Sequence, residues 1–135
     1  MTQEEKQILF KDISARLPYG VKVLYQNEIG TIDSLCSDSK LLLKNECGTL
    51  LPDGDTLFAD IEDVKPYLRP MSSMTKVEKA VYRHHQILVR RVGLTFEYNI
   101  AFTIEWLIEH HFDFLGLIDR GLALDAPEGM YNLNN

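Results

Sequence analysis

The sequence predicts an α+β fold: an N-terminal helix, a small curved antiparallel sheet, then a C-terminal helical pair with a docked tail. Three observations carry this. Apolar residues recur with helical spacing near the start. The period then changes to two over several short runs separated by turn residues. Helical spacing returns after Pro70. The 135 residues can bury a sizeable core without disulfides or metal. The expected organisation is residues 1–70 as a helix plus β module and 71–135 as a helical region packed on it.

Thr2 and Glu5 have the spacing of a capping box, which closes two free amide donors at a helix start. Leu9, Ile13 and Leu17, with Phe10 beside them, form the apolar stripe of that helix, and Pro18 and Gly20 end it. Val21, Val23 and Tyr25 alternate with polar residues as a half-buried strand does. Asn27–Gly30 reads as a turn and Thr31–Leu35 as the returning strand. Lys40–Lys44 (KLLLK) is a short buried strand, Asn45–Asp55 a loop, Thr56–Ala59 a fourth strand, and Asp60–Val64 a single helical turn. Short strands joined by tight turns fit an SH3-like or Tudor-like barrel, and fit a three- or four-stranded meander packed on helices nearly as well.

Tyr67–Ser73 is extended ahead of a cap at Ser73 or Thr75. The second helix then runs from Lys76 to about Arg91. Its stripe is Val77, Val81, His84 and Leu88, widened by Ala80 and Ile87, which puts His84 inside and His85 outside. A third helix runs from about Tyr98 to His111, with Ile100, Ile104, Leu107, Ile108 and His111 inward.

The net charge of −6 is unevenly spread. Residues 71–100 carry 5 basic and 2 acidic side chains, whereas residues 101–135 carry 1 basic and 6 acidic. Overall acidity argues against broad phosphate-backbone binding. Cys36 and Cys47, eleven apart, form neither a zinc knuckle nor a redox pair. They read as reduced thiols, with a hairpin disulfide as the alternative. No apolar run reaches transmembrane length and the first residues lack an apolar signal region, so the expectation is a cytoplasmic protein with no membrane contact.

Four candidate sites stand out. Glu105 and Glu109 share a helix face, and His110 lies beside them, which suggests weak metal ligation. The Glu-x-x-His spacing of helical metal sites is absent, so no metal or other cofactor is expected. The histidine pair His84-His85 could supply a general base, but no nucleophile stands at a recognisable spacing, and Ser72-Ser73 reads as a turn. Lys76, Lys79, Arg83 and Arg90 fall near one face of the second helix and could meet phosphates, which makes nucleic acid the alternative partner. Trp106, Phe112 and Phe114 could anchor a protein partner or a homodimer seam, or could bury the tail on the β module.

The segments ARLPYGVKV, VKPYLRPMSSMT, EWLIEHHFD and GLIDRGLALDAPEGMY resemble a family of small uncharacterised proteins of gut Bacteroidetes genomes and their phages or prophages. The resemblance spans about Leu17 to Tyr131. It implies a bacterial or phage cytoplasmic protein and carries over no functional residues. The functional expectation is a non-enzymatic interaction or regulatory protein.

Overall fold

A computed structural model describes residues 1–37, 39–48, 50–51, 58–92 and 96–131. Within these, the side chains at 37, 50–51, 86–92 and 96–102 are not described. The elements in chain order are α1 (Gln3–Arg16), β1 (Lys22–Tyr25), β2 (Glu28–Ser37), β3 (Lys40–Asn45), β4 (Leu50–Leu51), β5 (Ala59–Asp60), β6 (Val64–Leu68), α2 (Lys76–Val92), α3 (Phe96–Glu109) and β7 (Leu124–Asp125). The class is α+β, as the periodicities predict.

Helix α1 begins with the expected capping box: Glu5 N donates to Thr2 Oγ1 at 3.1 Å and Thr2 N donates to Glu5 Oε1 at 2.9 Å. Its buried face is Leu9, Asp12, Ile13 and Arg16. The stripe read from apolar residues alone therefore omits two charged side chains that point inward.

The β1–β2 hairpin turns at Gln26 and Asn27, both with positive φ (49° and 64°), the geometry of a two-residue type I′ turn. The expected turn at Asn27–Gly30 is thus displaced, and Glu28 already pairs with Tyr25. Register shifts between Ile32 and Ser34 and between Leu35 and Ser37 curve β2 against β3. The sheet order is β4-β3-β2-β1-β6-β7, with β5 pairing the far end of β3.

Two corrections concern the sheet. It is mixed rather than antiparallel, because β7 pairs β6 in parallel through Tyr67↔Leu124 and Leu68↔Asp125. It is also open: among the described residues no pairing joins its two ends, and the barrel is not confirmed. The strand expected at Thr56–Ala59 appears as Ala59–Asp60, with 56–57 outside the described residues. The helical turn expected next is a 3-10 turn, Ile61–Asp63, capped by Asp60. Strands β4, β6 and β7 were not expected. β6 has a central proline, preceded by Lys65, that conceals it, while β4 and β7 are only two residues each.

The core joins α1, the sheet and the C-terminal segment. Leu9, Ile13, Val23, Leu41, Leu43, Ile61, Val64 and Leu68 are fully buried, and Leu117, Leu122 and Ala123 close the same cluster. The tail is therefore docked on the β module. A second cluster gathers Met74, Leu107 and Phe112, with Met71, Tyr82, Trp106 and Phe114 around it. Cys36 and Cys47 are free thiols on the surface, so the alternative disulfide does not form. Among the described residues no helix is long and apolar enough to cross a membrane.

Helix α2 is rotated from its expected setting. Val77, assigned to the buried stripe, is 74% exposed. His84 and Ala80 are exposed, and His85 is half-buried instead. The cause is Glu78. Thr75 and Glu78 form a second capping box, with Glu78 N to Thr75 Oγ1 at 3.1 Å and Thr75 N to Glu78 Oε1 at 2.9 Å. The same carboxylate is gripped by Arg69. Turning Glu78 inward selects Glu78, Tyr82 and His85 as the packed face and pushes Val77 to solvent. Helix α3 ends at Glu109, and His111 lies past it with φ 63° rather than on its inner face.

Gly30 is required by close approach. A Cβ there would stand 2.4 Å from the carbonyl oxygen of Lys44 and 3.2 Å from its carbon, both backbone atoms on the paired strand. Gly30→Ala should destabilise the protein by roughly 1–3 kcal/mol, an overpacking cost, read as a lower urea midpoint with unchanged slope.

Candidate functional site

The strongest chemistry lies at the junction where α1, β6, the end of α3 and the C-terminal segment meet. Arg16 is fully buried. Its Nε and Nη2 donate to the two carboxylate oxygens of Asp12 at 2.9 and 3.1 Å, one helical turn back. Nη2 also donates to the carbonyl of Phe112 at 2.6 Å, across 96 residues of sequence. The guanidinium carbon lies 5.7 Å from the centroid of the Phe114 ring. Burial pushes the Asp12 carboxyl up, the Arg16 cation and its hydrogen bonds oppose this, and Asp113 adds to the rise.

A second arginine mirrors the first. Arg69 Nη1 and Nη2 donate to Glu78 at 2.7 and 2.6 Å, and its guanidinium carbon sits 4.2 Å from the centroid of Phe112. Burial alone would raise the Glu78 carboxyl, but the hydrogen bonds from Arg69 and Thr75 outweigh it and hold it low. The Arg69 backbone bridges the turn after α3: Arg69 N donates to the His111 carbonyl and Asp113 N to the Arg69 carbonyl, each at 2.8 Å. Asp113 then accepts from the amides of Leu117 and Ile118 at 2.8 and 2.9 Å, fixing the next turn.

His111 and Tyr131 complete the junction. Their rings stack with centroids 3.9 Å apart and planes 16° off parallel. The Tyr131 hydroxyl donates to the Tyr67 carbonyl at 2.6 Å and accepts from Lys22 N at 2.9 Å, so it sits between β6 and β1 where their ladder ends. Burial pushes the Tyr131 phenol up to about 12. It pushes His111 down to about 4, assisted by the charge of Arg16 and, more weakly, of His110 and Arg69, while the Tyr19 carbonyl opposes the shift. Arg16 Nη1 and His111 Nδ1 are buried without a hydrogen-bond partner among the described residues.

The expected site residues fall as follows. Phe112 is fully buried between Arg69 and Trp106, so its ring offers a partner no surface. Trp106 is half-buried beneath Tyr82, His85 and His110, with ring centroids at 6.2, 5.8 and 4.6 Å, and Phe114 is half-buried beside Arg16. These three rings pack within the chain. Lys76, Lys79 and Arg83 are exposed on α2, and the Arg90 side chain lies outside the described residues.

Glu105 and Glu109 are exposed on α3. His110 Nδ1 is 2.9 Å from the Trp106 carbonyl, so that nitrogen donates and only Nε2 is left for a ligand. Among the described residues no group of three His, Cys, Asp or Glu side chains is placed to hold a metal. Ser73 Oγ donates to the Pro70 carbonyl at 2.6 Å, the turn role expected of it.

A cleft beside the junction, about 350 Å³, is lined by Arg69, Pro70, Ser73, Thr75, Tyr131 and residues 126–129. The Arg69, Ser73 and Tyr131 side chains on its wall are already engaged within the chain. The buried junction thus binds the chain to itself, whereas Lys76, Lys79 and Arg83 stand exposed on α2. Helical spacing could have flagged Asp12 and Arg16 as an i, i+4 pair, but nothing local marks it as buried. Comparison with protein-family models, curated proteins and solved structures finds no match.

Arg16→Ala should cost roughly 3–5 kcal/mol, because it strands the buried Asp12 carboxylate and the Phe112 carbonyl together. Tyr131→Phe should cost about 1 kcal/mol, the net worth of its hydroxyl bridge. Both are read by chemical denaturation, and a smaller loss for Arg16→Ala than for Tyr131→Phe would contradict the hierarchy.

Proposed function

We propose that this chain is a non-enzymatic interaction protein whose protein partner docks on the exposed face of α2. The observation that supports this is Val77, 74% exposed and neighboured by the exposed Lys76, Lys79, Ala80 and Arg83. Glu78, the acid within this stretch, is turned inward onto Arg69, so the outward charge is cationic. An apolar residue set among fixed cations suits an acidic partner surface with an apolar anchor. The resemblance to small phage and prophage proteins adds a setting, an accessory or regulatory factor acting inside a bacterial cell.

Nucleic acid is the second reading, since the same three cations could meet phosphates. Val77 and Ala80 favour protein, because they give phosphates nothing to bind. The described part of this face also carries no aromatic platform for bases.

The test is capture from native host lysate by the tagged protein, after nuclease treatment, beside Val77→Asp and Lys79→Glu/Arg83→Glu. These positions are solvent-facing, so circular dichroism should be unchanged. A stoichiometric partner retained by the parent and reduced at least tenfold by both variants is expected. Capture that is indifferent to both, or that consists of nucleic acid and vanishes with nuclease, overturns the reading.

A further inference from the structure

We infer that the segment from Leu124 to Tyr131 is an acid-released strap: on protonation of His111 it leaves the sheet and uncovers the outer edge of β6. Three features of the geometry carry this. First, among the described residues the hydrogen-bonded attachments of the strap are few and local. They are the two-residue parallel ladder onto Tyr67 and Leu68, the bond from Ala126 N to the Leu68 carbonyl at 2.8 Å, and the Tyr131 hydroxyl between Tyr67 and Lys22.

Second, the ring of Tyr131 rests face to face on His111, and His111 is 6% exposed with Nδ1 lacking a hydrogen-bond partner among the described residues. Third, the charges that act on that ring among the described residues include the cations Arg16 on α1 and Arg69 following β6, and His110 after α3 adds in the same direction. Asp12 and Glu78, the acids that accompany the two arginines, are both engaged by them. A proton on His111 would therefore sit in a dry pocket beside positive charge; the Tyr19 carbonyl offsets this only in part, and among the described residues Nδ1 has no hydrogen-bond partner.

The strap is the part that yields. Tyr131 is the stacking partner, and its phenol stays neutral throughout this pH range. The rest of the junction stays in place without it. Arg16 still holds Phe112, the Arg69 backbone still brackets it, and Leu117, Leu122 and Ala123 remain in the core. Opening leaves the backbone groups of Tyr67 and Leu68 that face β7 unpaired, an edge able to accept another strand.

The sign follows from linkage. The closed-state pKa of His111 lies below the ordinary value of 6.5, at about 4. The open state therefore binds the proton first, and the stability of the closed strap is complete above pH 6.5 and falls as the pH drops toward 4.

The test is amide hydrogen exchange on the whole chain from pH 7 to pH 4.5, corrected for intrinsic rates. Exchange at Ala126 and Lys22 should rise about tenfold per pH unit below about pH 6, while Ile13 in α1 stays protected. His110→Gln should keep the gradient and His111→Phe should flatten it. If Ile13 loses protection together with Ala126, the transition is global and the strap idea is overturned. It is equally overturned if Ala126 and Lys22 show no dependence on pH.

Discussion

The structure depends on one buried cation. Arg16 has no exposed surface, and in a low-dielectric interior a lone guanidinium is untenable. Asp12 neutralises it from the same helix, and the Phe112 carbonyl accepts a further bond from Nη2 at the far end of the chain. Desolvation of such a pair roughly cancels its attraction, so its net contribution to stability is small. Its contribution to specificity is larger, because the Nη2 bond to the Phe112 carbonyl forms only when the turn after α3 is delivered to α1. The apolar clusters on either side can tolerate some slippage, and this contact cannot.

Arg69 performs the corresponding task for the helical pair. It fixes Glu78, and Glu78 caps α2 and sets its rotation. From that rotation follow the stacking of Tyr82 and His85 on Trp106 and the exposure of Val77. The surface proposed for partner docking is thus a consequence of an internal ion pair rather than of hydrophobic spacing. The segments ARLPYGVKV, VKPYLRPMSSMT, EWLIEHHFD and GLIDRGLALDAPEGMY supply Arg16, Arg69, Phe112 and Tyr131 respectively, or flank them directly. They are distant in sequence and meet at this one junction.

Much of the fold was legible where a single physical signal dominated. The capping box at Thr2 and Glu5 located α1, the KLLLK run located β3, and Thr75 stood at the start of α2. What was illegible depended on partners remote in sequence. Apolar periodicity placed His84 inside because it cannot register that Glu78 is claimed by Arg69. It made Phe112 a partner anchor because nothing in its neighbourhood reveals that Arg69 covers one face and Trp106 packs against the other. β6 was hidden by Pro66, which gives up its ladder donor, and β7 by its brevity. The Tyr131 bridge involves 64 and 109 residues of separation, beyond any local pattern.

The central claim is that the Arg16 junction makes the sheet core and the Trp106 cluster one cooperative unit. The direct measurement is urea unfolding followed with two probes: the fluorescence of Trp106, the one tryptophan of the chain, and the NMR resonances of Ile13 and Val23 in the other core. The account predicts coincident midpoints and slopes for both. A Trp106 transition completed at lower urea, with Ile13 and Val23 still native, would show that the two clusters melt separately and that Arg16 does not couple them.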